Sequence, residues 1–98
     1  MSHEKYSEQA LADALASLPD WSVEAGKLHR EYKFVDFAYA FAFMAGAATM
    51  IEKLDHHPEW FNVYSTVRID LWTHTSGGIT PMDTKLASQL EALAQKLL

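Results

Sequence analysis

The stretch "FAYAFAFMAGAATMI", Phe37 to Ile51, constrains the fold more than any other part of the chain. It is shorter than the ~20 apolar residues that span a bilayer, and Glu52 and Lys53 follow it directly. It therefore predicts a core helix of a soluble protein. Phe37, Tyr39, Phe41 and Phe43 are two apart, which is a strand pattern. Against that, Phe37, Phe41, Met44, Ala48 and Ile51 follow helical spacing, and the residues between them are mostly alanine, a strong helix former. Asp36 is a good N-cap. The spacing predicts a helix from Phe37 to Leu54. Aromatics on more than one of its faces imply burial on two sides, against a sheet and against either a partner subunit or a loop.

A chain of 98 residues buries ~65% of the surface it exposes when unfolded. That suffices for one modest core, so residues 1–98 read as a single domain. Ser7 caps a first helix with Leu11, Leu15 and Leu18 on its apolar face, ended by Pro19-Asp20. "WSVEA" alternates Trp21, Val23 and Ala25 and predicts a strand, with Gly26-Lys27 as a hairpin turn. "LHREYKF" places Leu28, Arg30, Tyr32 and Phe34 on one face, and His29 on the other, toward solvent. After the long helix, "EWFNVY" is extended. "TVRIDLWT" is the cleanest strand, with Val67, Ile69 and Leu71 opposite Arg68, Asp70 and Trp72. A bend near Tyr64-Ser65 makes these two strands antiparallel. Thr80-Pro81-Met82-Asp83 starts a last helix with a capping box, and Leu86, Leu90, Leu93 and Leu97 form its stripe. The order α-β-β-α-β-β-α predicts an α+β two-layer sandwich, a four-stranded antiparallel sheet with helices packed on one face.

Composition removes several functions. There is no cysteine, so disulfides, thiolate nucleophiles and thiolate metal sites are excluded. That also fits a reducing, cytoplasmic setting. The polar start "MSHEKYSEQA" predicts no secretory signal. A net charge of -5, with few and scattered Lys and Arg, argues against direct nucleic-acid binding.

The chemistry concentrates in "LDHHPEW", Leu54 to Trp60. His56 and His57 are adjacent, and His74 ends the last strand. Glu52, Asp55, Glu59 and Asp83 surround them in sequence. Pro58 cannot continue the helix and biases His57 away from α geometry. Four readings are open on residue types alone. One is a polar helix stop, favourable with the helix dipole when histidine is charged. A zinc site is another, although adjacent histidines diverge by ~100° on a helix, unlike the spacing of HExxH motifs. Acid–base chemistry is the third, since imidazole titrates near neutrality and nearby carboxylates orient it. The fourth is an intermolecular contact. The capping box alone accounts for Asp83, and core packing alone accounts for Trp60. Trp72, on the polar face of its strand, fits a sheet contact or a pocket.

From Glu52 onward the chain resembles the pterin-4a-carbinolamine dehydratase family. The shared pattern is an acidic residue, His, His, Pro, an aromatic, His and Asp, here Glu52, His56, His57, Pro58, Tyr64, His74 and Asp83. "KLDHHPEWFNVY" is also close to animal members. Ser65 stands where many relatives have Asn, and Trp72 where many have a small residue. The resemblance implies a dehydratase that removes the 4a-hydroxyl of a hydroxytetrahydropterin as water, recycling the cofactor of aromatic amino acid hydroxylases. It implies His56, His57 and His74 around the 4a carbon, with no metal and no cofactor. Glu52 and Asp55 would hold ring nitrogens or orient imidazoles, and Asp83 would support the cluster. Pro58, Trp60 and Tyr64 would complete the pterin site, the two aromatics as its flat walls. It further implies a homo-oligomer, a dimer or a dimer of dimers, with the aromatic-rich helix as a fitting interface. A hydroxylase is the implied pathway partner. A non-catalytic dimerisation cofactor and a pterin-handling protein of molybdenum cofactor metabolism are the alternatives.

Overall fold

Asp36 opens the long helix as its side chain suggests: its carboxylate accepts from the Tyr39 amide, and α2 runs Phe37–Leu54. In the computed structural model residues 4–98 are described. His3, read from the sequence as part of a terminal arm, lies outside them.

α1 (Glu8–Leu15) starts where Ser7 accepts from the Ala10 amide. It ends earlier than the leucine spacing predicts. Leu18 lies beyond it, in a turn whose amide donates to Leu15, yet is 3% exposed. Its burial comes from the turn and not from a helix face.

β1 (Ser22–Glu24) and β2 (Lys27–Lys33) form the first hairpin. Its turn is Ala25-Gly26, not Gly26-Lys27. Both residues have positive φ, 52° and 77°, and Glu24 pairs with Lys27, so Lys27 is already strand. Ala25 therefore belongs to no strand face, and Val23 is exposed while Trp21 is buried. β3 (Glu59–Val63) and β4 (Thr66–Leu71) form the second hairpin, turning at Tyr64, φ 51°.

The sheet is antiparallel in the order β1-β2-β4-β3, so the two hairpins meet along β2 and β4. Leu28, Tyr32, Val67, Ile69 and Leu71 are buried toward the helices. α3 (Pro81–Leu97) adds Leu86, Ala87, Leu90 and Ala94. Tyr32, Phe34 and Phe43 pack as an aromatic cluster with centroids 5.2–5.8 Å apart. Each such buried ring or aliphatic chain contributes about 1.5–3 kcal/mol of transfer free energy. The architecture is the expected α+β sandwich.

α2 has the predicted ends but a rotated buried face. Ala40, Phe43, Ala47 and Ile51 are buried, while Phe37, Phe41 and Ala48 face outward. The core selects alanines where the sheet and α3 come close. Gly46 does the same: a Cβ there would meet Leu93 Cδ2 at 3.0 Å. The Phe37 and Phe41 rings lie 5.9 Å apart on the exposed side. His29 is also corrected. It does face away from the helices, but Nδ1 lies 2.8 Å from Asp70 Oδ1 and its side chain is only 19% exposed.

Candidate active site

The end of α2 builds the site. Asp55 is its C-cap in the left-handed conformation, φ 51°, ψ 42°. Pro58 then prevents further helix. Between them the chain turns sharply, and two adjacent imidazoles separate onto different carboxylates. His56 Nε2 lies 2.5 Å from Asp83 Oδ1, and His57 Nε2 lies 3.0 Å from Glu52 Oε1.

These two pairs differ in environment. The Asp83 side chain is fully buried and that of His56 13% exposed. The side chains of His57 and Glu52 are 56% and 80% exposed. One pair is held by the interior and the other is free to follow a ligand.

Asp83 has a second commitment. Its Oδ2 accepts from the Thr80 amide at 2.9 Å, closing the capping box of α3, and from the Thr73 hydroxyl at 2.9 Å. Thr73 also bonds Thr80 Oγ1 at 2.8 Å. The capping role and the His56 contact thus use different oxygens of one carboxylate.

His74 does not end a strand. β4 stops at Leu71, and His74 opens a single 3-10 turn, His74–Ser76. Its exposed ring packs against Trp72 at a tilt of 41°, centroid to centroid 4.2 Å. The Trp72 indole donates to Glu59 Oε2 at 3.3 Å, and Lys27 Nζ sits 2.6 Å from Glu59 Oε1. Hydrogen bonds from Lys27 and then Trp72 hold the Glu59 carboxyl below its usual range. His74 follows Thr73, which bonds Asp83, but its own ring lies against Trp72 and is not among the residues lining the cavity beside His57.

Glu52, His57, Pro58 and Trp60 line a cavity of about 200 Å³ with Ala48 and Ile51. Apolar walls with a histidine–carboxylate pair at the rim suit a flat, polar heterocycle. Tyr64 is not brought to this group. It is 70% exposed at the tip of the β3–β4 hairpin, at the other end of β3 from His57. Asp55 lies beside the site and shapes its backbone. The sequence reasoning missed Thr73 and the Glu59–Lys27 support of Trp72. Both depend on contacts between elements, and only the polar-face position of Trp72 signalled a role.

The sequence and the fold match a known family. A family model described as "Pterin 4 alpha carbinolamine dehydratase" matches residues 4–93. The chain belongs to the pterin 4 alpha carbinolamine dehydratase family. A Solibacter usitatus protein, named provisionally as such a dehydratase, is 56% identical over 90 residues, 92% of this chain and 95% of that one. A Chelativorans protein with the same provisional name is 45% identical over 98 residues, 98% of this chain and all of that one. A Brucella melitensis crystal structure, titled as a transcriptional coactivator/pterin dehydratase, superposes with TM-score 0.89 at 44% identity, covering 93% and 99% of the two chains. A pterin dehydratase-like protein identified as a RuBisCO assembly factor in the alpha-carboxysome shares the fold, with TM-score 0.63, 24% identity and coverage of 76% and 86%. Among the described residues, no helix is long and apolar enough to cross a membrane.

Proposed function

We propose that this member of the family is a working dehydratase, which removes water from a 4a-hydroxytetrahydropterin and yields the quinonoid dihydropterin. The observation that carries the reading is the split of His56 and His57 onto Asp83 and Glu52, with His57 and Glu52 lining a small cavity. The reaction breaks the C4a–O bond, and its electron pair leaves with the oxygen, which takes up a proton as water. A ring N–H loses its proton, and that electron pair forms the new C=N bond. Each step needs one proton moved near neutral pH, the task imidazole performs best. His56, His57 and His74 carry these protons. Glu52 and Asp83 orient the rings, Asp55 fixes the turn, and Pro58 and Trp60 wall the pterin. Tyr64 belongs to this reading only if a second copy brings its hairpin tip to the cavity. The chemistry requires neither metal nor cofactor.

The same reading places the protein in the cytoplasm, serving an aromatic amino acid hydroxylase. It also makes the chain a homo-oligomer. The exposed apolar side of α2, with Phe37 at 47% and Phe41 at 58% exposure, supports that part. It equally supports a second reading, a module that docks partner helices without catalysis.

An assay with a 4a-hydroxytetrahydropterin separates the two. His57→Ala is expected to lower turnover sharply while the protein stays folded. Normal turnover in His56→Ala, His57→Ala and His74→Ala alike would refute the catalytic reading. Stoichiometric zinc, lost on His56→Ala, would favour a metal site instead.

A further inference from the structure

The hydrogen bonds around Asp83 leave little freedom for its protons. Thr80 N–H can only donate, so Asp83 Oδ2 is an acceptor there. Thr73 donates its single hydroxyl proton to the same oxygen. Thr80 must then donate its own hydroxyl proton to Thr73 Oγ1, and Thr80 Oγ1 accepts from the Met82 amide at 3.2 Å. Every donor in this group is spoken for. Among the described residues Oδ1 has one partner, His56 Nε2. A carboxylate only accepts, so the shared proton sits on nitrogen. His56 therefore carries its proton on Nε2, and a neutral ring has its lone pair on Nδ1. Among the described residues no buried side-chain nitrogen or oxygen lacks a partner, and His56 Nδ1 has none, so solvent reaches it.

We infer that Thr73 is a positioning residue. It holds the Asp83 carboxylate in place, and that carboxylate keeps His56 in the Nε2–H tautomer, so that Nδ1 is the atom that exchanges a proton with the substrate. The catalytic half of this inference rests on the dehydratase reading; the tautomer does not. The arrangement resembles the aspartate of a serine hydrolase triad, which fixes its histidine's tautomer and steadies the imidazolium without taking the proton. The Thr73 hydroxyl adds the second restraint. With it, Oδ2 is saturated and the carboxylate cannot rotate to exchange its oxygens. His57, on an exposed carboxylate, has no such lock.

The test is a long-range nitrogen–proton NMR spectrum of histidine-labelled protein without substrate, joined to steady-state kinetics. The wild type is expected to show His56 protonated at Nε2 and bare at Nδ1. Thr73→Val removes the hydroxyl at nearly constant volume. It should keep the Nε2–H tautomer, since the carboxylate still only accepts, and give a kcat about tenfold lower, the scale of one lost hydrogen bond, with KM within about twofold. Thr73→Ser should restore kcat. Asp83→Asn presents an N–H to the ring and should move the proton to Nδ1. A wild-type His56 protonated on Nδ1, or a Thr73→Val variant equal to wild type in kcat, overturns the inference. If Thr73→Val does not fold, Thr73→Ala takes its place in the kinetics and is expected to show the same loss of kcat. A locked Nε2–H tautomer in a protein without dehydratase activity would sink the proposed function and leave the lock standing.

Discussion

The Tyr32 hydroxyl donates to Glu91 Oε1 across 2.5 Å, beneath the helix layer and away from the histidines. The same carboxylate accepts from the Trp21 indole at 2.9 Å, Arg30 Nε at 3.2 Å and Gln95 Nε2 at 2.6 Å. One side chain of α3 thus ties down β2 and the residue before β1. Partial burial alone would raise the Glu91 pKa, but hydrogen bonds from Arg30, Tyr32, Gln95 and Trp21 outweigh it and lower it to about 2. Burial and then Glu91 push the Tyr32 hydroxyl upward.

Acid stability should report this node. A carboxylate whose folded pKa lies below its unfolded one stabilises the fold above the unfolded value, near 4.5, and loses that contribution as pH falls toward about 2. The side chain is 21% exposed. Allowing for that solvent access, the contribution is about 2 kcal/mol at neutral pH. Glu91→Gln should lower stability by that order at pH 7 and depend less steeply on pH between 5 and 2. Urea unfolding of both proteins across that range checks it.

The two histidine pairs should separate stability from activity. Replacing His57, which is 56% exposed, should leave the urea midpoint within about 0.5 kcal/mol of wild type. Replacing His56 removes the partner of a fully buried carboxylate and should cost about 3 kcal/mol at neutral pH. Equal stabilities for His56→Ala and His57→Ala would contradict the burial asymmetry.

Two left-handed residues make a backbone prediction. Ala25 occupies φ 52° in the first hairpin turn, where Asn-Gly is preferred. Ala25→Asn should raise stability by about 0.5 kcal/mol. Asp55→Gly relieves the same strain at the α2 C-cap and should not destabilise, whereas Asp55→Val should cost about 1–2 kcal/mol. Thermal unfolding of the three variants ranks them.

The exposed side of α2 should control association. Phe41→Glu places a charge beside Phe37 and is expected to reduce the sedimenting species to a monomer without loss of helix signal. An unchanged oligomer would place the interface elsewhere.

Much of this protein is legible in the sequence because its signals are local. Asp36 and Pro58 bracket α2, Thr80 to Asp83 write a capping box, and the alternation of Val67, Ile69 and Leu71 names the inner face of β4. Such features act within a few residues, so reading along the chain suffices. The pairing of His56 with Asp83 and of His57 with Glu52, the rotation of α2 that buries Phe43 and exposes Phe41, and the contact of His74 with Trp72 were settled only by tertiary structure. The buried face of α2 depends on how closely the sheet and α3 approach it. Which carboxylate each imidazole meets depends on a left-handed residue at Asp55 and on an oxygen that Thr73 leaves free. Residue types supplied the donors and acceptors, and packing between elements distant in sequence decided how they pair.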